Sequence, residues 1–289
     1  IKNVPGRKTD VCDSEWLAEL ARCGLLRPSF VPPKDFRETR LLTRYRKKVL
    51  GMLGAEKNRL HKILESAGIK LGAVVSDIDG VSAREMIAAI IKGSHTSEQI
   101  AQMARGRLKS KEGDLVRSLQ GRLSDRHRFL LRKIQNHILW LENHIHEIDS
   151  QVEEAMIPYK EEWQLLQTLP GVDKISAAML LSEIGVNMDC FGNKDRLSSW
   201  AGMCPGNNES AGKQKSGRHP VRSHPFKTIM IEIAWAAVRK KDSYYRAKYY
   251  RLRSRLGPRK AITAIAHRIT KAIYHVIKKG ESFRDLGQD

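Results

Sequence analysis

Apolar residues recur every three or four positions through most of this chain, and almost nowhere do they alternate one on, one off. That is the period of helices rather than strands. Trp16, Leu17, Leu20 and Ala21 share one face within residues 8–26, and Gly24 is a plausible stop. "RPSFVPP" (27–33) follows as an extended connector, because its three prolines forbid a helix or a central strand. From Lys34 to about Ser66 the chain is rich in Leu, Arg, Lys and Glu with no proline, which predicts one long helix. Residues 79–93 carry a start signal, Ser82 with Glu85 three positions on, and Gly93 as a stop.

The longest pattern runs from Glu112 to about Ala155. Leu131, Ile134, Ile138, Leu141, Ile145, Ile148, Val152 and Ala155 alternate spacings of three and four, a heptad seam. A coiled coil that joins copies of the chain is expected; the alternative is an amphipathic helix packed on its own domain. His127, His137, His144 and His146 lie here and are expected on solvated faces rather than on a metal.

"LLQTLPGVDKISAAMLLSEIG" (165–185) reads as a helix end, a Pro-Gly turn and a helix rich in small residues. A helix-hairpin-helix would aim its turn and the next helix N-terminus at a nucleic-acid phosphate, with Gly171 and Lys174 as contacts. An ordinary helical hairpin is the alternative. A short helix capped by Asn193 comes next, then a long connection, "CPGNNESAGKQKSGRHPVR" (204–222), then three more helices. Connections of that length are uncommon in compact domains unless they are functional or disordered. In the last helices Tyr244, Tyr245, Tyr249 and Tyr250 interleave with Arg246, Lys248, Arg251 and Arg253. Such a helix could clamp nucleic acid, or could pack its rings inward behind a solvated basic face. The fold class is mainly α, divided as 1–33, a helical linker and coiled coil at 34–160, and a last domain at 161–289.

Charge changes the picture most. The 289 residues carry a net +20, which calls for a polyanionic partner such as nucleic acid. Residues 170–289 hold 23 Lys and Arg against 10 Asp and Glu, an excess of +13. The four cysteines, Cys12, Cys23, Cys190 and Cys204, form no CxxC pair, so neither a zinc site nor a disulfide framework is expected. They read as reduced thiols of a cytoplasmic protein. No apolar run approaches the ~20 residues that span a bilayer, and no signal peptide is visible.

Asp10 and Asp13 stand three apart at a helix start, which places both carboxylates on one face. They suit a divalent cation, although acidic residues also favour helix N-termini through the dipole alone. Ser210 sits among small residues and cations, with Ala211 and Gly212 beside it and Lys213, Lys215, Arg218 and Arg222 following. A serine in a Gly/Asn loop is ordinary on its own.

Taken in order, "NVPGRKTDVCDSEWLAELARCGLLRPSFVPP", "LPGV…AAMLLSEIG", "WAGMCPGNNESAGKQKSGR" and "AWAAVRKKDSYYRAKYYRLRSRLG" resemble the IS110 group of insertion-sequence transposases, relatives of the Piv-type DNA invertases. The resemblance covers essentially the whole chain. It implies an RNase-H-like (RuvC-like) N-terminal domain with four acidic residues, DEDD, that bind Mg²⁺; "TDVCD" matches the last two at Asp10 and Asp13. It implies a coiled coil, and a C-terminal domain whose serine, matched by Ser210 with Gly212 and Lys213, attacks a DNA phosphodiester. A structured guide RNA and a homo-oligomer are implied as partners. The first two carboxylates of the pattern have no match, so residues 1–33 read as the end of that domain and the chain alone is expected to be inactive. "HPVRSHPFK" departs from the simpler basic turn expected there. The rival expectation is a non-catalytic DNA- or RNA-binding protein.

Overall fold

The computed structural model describes residues 9–26, 30–204, 208–210, 213–216, 225–285 and 287. Twelve α-helices and one two-stranded ribbon make up the described residues. Helix α1 is Asp10–Arg22, capped by the Thr9 hydroxyl, which accepts from the Cys12 N–H at 3.3 Å. It has no buried residue: Leu17 is 46% and Trp16 44% exposed.

Helix α2, Lys34–Ser66, is about 50 Å long. It runs antiparallel along α6, Asp125–Ala155, which puts Arg46 against Asp149 and Glu56 against His137. Val49, Leu53, Leu60 and Leu64 of α2 and Leu131, Ile138, Leu141, Ile145, Ile148 and Val152 of α6 are all buried. The heptad seam is therefore covered by α2 of the same chain. The spacing therefore takes its alternative reading, an amphipathic helix packed on its own chain, and no second copy is needed to bury these residues. The outward face keeps Trp140, 56% exposed, stacked between His137 and His144, with Tyr45 of α2 bonded to His144 at 3.1 Å.

The single helix expected from Glu112 to Ala155 is two. Helix α5, Glu112–Ser118, stops, and α6 restarts at Ser124 with a capping box completed by His127. Gly121 lies in the break, where any Cβ would clash with the Ala67 carbonyl oxygen. The Lys70 and Arg122 N–H groups, bonded to the Ser118 and Ala67 carbonyls, hold this crossing together. Between α2 and α5 lies a small lobe with α3, Val81–Lys92, and α4, Ser97–Ala101, closed over Leu71, Met86, Ala101 and Leu115. The start of α3 differs from expectation: Gly80 is its N-cap, and Ser82 and Glu85 instead hold Arg105 through its N–H and its guanidinium. Gly93 ends the helix in the left-handed conformation, as its position predicts.

The C-terminal half is a helical bundle. Helices α7 (Lys160–Gln167) and α8 (Lys174–Ile184) form the expected hairpin, followed by α9 (Lys194–Trp200), α10 (Pro225–Ala237), α11 (Tyr244–Leu256) and α12 (Pro258–Lys279). Helix α8 is the axis, with Ala177, Ala178, Leu180, Leu181 and Ile184 fully buried. Its small residues let neighbours approach closely. Helix α12 packs on α7, α9, α10 and α11 through Ala261, Ile265, Ile269 and Ile273. The N-terminal turns of α2 dock on α8. Glu183, 2% exposed, takes Arg44 at 3.0 Å and Arg40 at 3.2 Å, and Arg40 also donates to the Ser182 and Glu183 carbonyls. No helix among the described residues is long and apolar enough to cross a membrane.

Candidate nucleic-acid interface and active site

The long connection between α9 and α10 is held at its base. Gly202 and Met203 close the end of α9 through bonds to the Ser199 and Ser198 carbonyls. Lys227, in the first turn of α10, reaches back to the Gly202 carbonyl at 2.9 Å, which ties the two ends of the connection together. Thr270 of α12 contacts the Met203 sulfur at 3.0 Å. Within the connection the sequence showed almost no strand signal, yet β1, Asn208–Ser210, pairs antiparallel with β2, Lys213–Ser216. Ser210 is the register partner of Lys213, and Glu209 that of Gln214. The ribbon is too short to show alternation, and Gly and Asn around it read as loop. Ser210, Lys213 and Lys215 thus lie on the backbone of one β-ribbon. Ala211, Gly212, Arg218 and Arg222 lie outside the described residues.

An aromatic cluster flanks the base of this connection. Trp200, at the end of α9, lies 5.9 Å from Phe226 of α10 and 5.4 Å from Phe191. Phe30, from the proline-rich connector after α1, enters the cluster at 4.6 Å from Phe191 and 5.7 Å from Trp200. Phe30 of the connector thus meets Trp200 at the α9 root of the serine ribbon, and Trp200 in turn meets Phe226 at the α10 root. Sequence reasoning missed this. The available signal was one aromatic residue inside an otherwise extended, proline-rich stretch.

Asp10 and Asp13 occupy the first turn of α1, and both are exposed. Among the described residues, no group of three or more His, Cys, Asp or Glu could hold a metal ion. Two carboxylates one turn apart fit one edge of the shell of a divalent cation and no more, because Mg²⁺ held by so few protein ligands keeps most of its waters. They do not make a two-metal site by themselves.

The hairpin between α7 and α8 is closely packed on its neighbours. Gly171 has φ +82°, and a Cβ on it would meet the Ala237 nitrogen and the Ile233 oxygen of α10 at 2.6 Å. The glycine is there to let the turn touch a helix backbone. At the start of α8 the Asp173 carboxylate accepts from the Ser176 N–H at 2.7 Å, and the Ser176 hydroxyl from the Asp173 N–H at 2.8 Å. An anionic cap thus stands where a helix-hairpin-helix would offer free N–H groups. Lys174 is exposed, within 3.8 Å of Glu153.

Of the four interleaved tyrosines, Tyr245 and Tyr249 are buried, so the inward-packing alternative holds for them. Tyr250 is 52% exposed under the Arg246 guanidinium, and Tyr244 is half-buried. On α9, Asp195 pairs with Lys271 of α12 at 2.7 Å, and that lysine holds its carboxyl below the ordinary range. Burial pushes the Cys204 thiol up, which argues against a reactive thiolate beside the ribbon.

Residues 163–251 match the family model described as "Transposase IS116/IS110/IS902 family", and residues 2–69 match the DEDD transposase model of the same group. The chain belongs to the IS110 family of transposases. The C-terminal match takes in the hairpin, α9, the serine ribbon, α10 and the first turns of α11; the N-terminal match takes in α1 with Asp10 and Asp13, and α2. Residues 70–162, the small lobe and α6, lie outside both matches. No curated protein matches the chain. An IS110 transposase acts on DNA, which agrees with the +13 excess of residues 170–289.

Proposed function

We propose that this transposase cuts and joins DNA through Ser210, with Asp10 and Asp13 as part of a Mg²⁺ site and a structured guide RNA selecting its targets. The observation that supports the reading is the contact of Phe30, in the acidic helix's connector, with Trp200 at the α9 root of the serine ribbon, where Trp200 also meets Phe226 of α10. It tethers two chemically complementary elements to one rigid cluster.

In this reading the Ser210 hydroxyl attacks a DNA phosphorus. A bond forms between Oγ and phosphorus as the bond from phosphorus to one deoxyribose oxygen breaks. The serine proton leaves, and the departing oxygen takes one up. The DNA stays attached to the protein until a second hydroxyl reverses the step. A serine hydroxyl is a weak nucleophile until its proton is taken and the phosphate charge is neutralised. Lys213, Lys215, Arg218 and Arg222 would hold the phosphates. A divalent cation bound by Asp10, Asp13 and further ligands from elsewhere in the domain would supply charge neutralisation. Gly171 and Lys174 would add a phosphate contact at the hairpin, beside rather than through the capped start of α8. The guide RNA rests on the family resemblance alone.

The competing reading is a nucleic-acid-binding protein without chemistry. The exposed α1 and the incomplete carboxylate set among the described residues favour it for the 289-residue chain taken alone. The test is strand cleavage with Mg²⁺ or Mn²⁺ by this chain and by one extended upstream by roughly a hundred residues, the size of a small domain. The proposal expects cleavage from the extended chain and none from its Ser210→Ala variant. Cleavage by the 289-residue chain alone would end the reading of Asp10 and Asp13 as part of a larger set.

A further inference from the structure

Beside the base of the serine ribbon, a hollow of about 240 Å³ opens between α11, α12 and the C-terminal segment 281–285. Its lining is two kinds of group: the rings of Tyr244, Tyr245 and Phe283, and the cations of Arg268, Lys271 and Arg284. We infer that it is a pocket for one unpaired nucleotide of a single strand. The inference rests on the proposed nucleic-acid function and adds to it the form of nucleic acid and the place where it is held.

The walls are fixed. Tyr245 is 2% exposed, and Phe283 stacks on it with centroids 5.7 Å apart and planes 16° from parallel. The segment that carries Phe283 is strapped down at both ends. Its own N–H donates to the Thr168 hydroxyl at 2.9 Å, and Asp285 accepts from the Tyr244 N–H at 3.0 Å. Arg268 donates to the Tyr244 hydroxyl at 2.9 Å, which holds both the ring and the guanidinium in place. None of these contacts explains why three cations converge on aromatic walls. Asp285 at the rim is already taken by Lys240 and Tyr244, and Asp195 is taken by Lys271. The pocket is left with net positive charge from Arg268 and Arg284.

Flat apolar walls with cations at the rim suit a ligand that is planar on one side and anionic on the other. A nucleobase with its phosphate is such a ligand, since every base has a π-face and the backbone supplies the charge. The hollow holds one base and not a base pair. Duplex therefore cannot enter it, while an unstacked nucleotide can. Its position agrees. Lys271 reaches from the pocket to Asp195 on α9, and Thr270 beside it touches Met203 at the root of the ribbon.

The test uses the 289-residue chain with fluorescent dT12, rU12 and a 12-base-pair duplex, measured by anisotropy at one salt concentration. Arg268→Ala and Tyr244→Ala are expected to weaken single-strand binding by about tenfold or more, the worth of one base stacked on an aromatic ring. Duplex binding should change by less than twofold, and Arg268→Lys should recover part of the loss. With 5-iodouracil in the single strand, ultraviolet cross-links should map to the peptides of Tyr244 or Phe283. The tighter of dT12 and rU12 names DNA or RNA as the strand held, and either supports the pocket. Equal loss of single-strand and duplex binding, or single-strand binding unchanged in both alanine variants, overturns it. If the wild-type chain binds none of the three probes, the proposed nucleic-acid function fails first.

Discussion

The joint between the long α2 helix and the transposase bundle contains one buried carboxylate, and Glu183→Ala should show how much it contributes. Glu183 is 2% exposed on α8 and receives Arg44 at 3.0 Å and Arg40 at 3.2 Å. Arg40 is itself only 18% exposed. Burial pulls the Arg40 guanidinium down, and Glu183 opposes that pull. Removing the carboxylate leaves Arg40 as a charge with no counterion in a dry interface. Breaking one side of a buried pair costs about 3–5 kcal/mol, because the remaining charge keeps its desolvation penalty. Arg40 retains bonds to the Ser182 and Glu183 carbonyls, and Arg44 is 48% exposed, so the lower end, about 3 kcal/mol, is expected. Arg44→Ala should cost about 1 kcal/mol or less, as exposed pairs do. Urea unfolding followed by circular dichroism reads both. A loss under about 1 kcal/mol for Glu183→Ala, or equal losses for the two variants, would refute the claim that burial of Glu183 and Arg40 is what makes this joint costly to break.

Three further outcomes follow from the same structure. Nucleic-acid affinity should fall steeply with salt, by about 0.9 logarithmic units per contacted phosphate per decade on duplex DNA, and a flat dependence would mean that the charge serves solubility only. Ile145→Lys buries a charge on the α2–α6 seam and should lower the stability of the chain itself by at least about 2 kcal/mol; a fully stable variant that only loses an oligomer in sedimentation would show that the seam joins copies after all. Asp79→Asn tests a pH window. Burial raises the Asp79 carboxyl, but Lys57 and Arg84 more than offset it and hold it below its ordinary 3.8. Its stabilisation is therefore present above that value and is lost as pH falls through the lower folded value. The variant should be weaker than the wild type at pH 7, the difference should shrink as pH falls below 3.8, and a difference that does not shrink in acid would contradict the assignment.

Much of this fold was legible because helices announce themselves locally. The bounds of α2, Lys34 to Ser66, follow from prolines before it and an unbroken charged, Leu-rich pattern within it. Asn193, Gly93 and the Pro-Gly turn mark their ends by local chemistry. What could not be read is what depends on partners distant in sequence. The seam of α6 has the same spacing whether its partner is α2 or a second copy. Ser82 and Glu85 form a capping pattern, but Arg105 competes for both. Gly171 looks like a phosphate-binding glycine until α10 is found against it. The site was legible only as residue types. Asp10, Asp13 and Ser210 were found through motif resemblance, whereas the Phe30 anchor and the pocket around Arg268 required the packing.

Peptide mass spectrometry can show whether Ser210 forms a bond to DNA. The chain extended upstream is incubated with Mg²⁺, guide RNA and a target DNA, then digested with nuclease and trypsin. A nucleotide-phosphate mass is expected on Ser210 and is absent from Ser210→Ala, while that variant binds DNA nearly as well as the wild type because no positive charge was removed. An adduct on another residue, or one that survives Ser210→Ala, would contradict it.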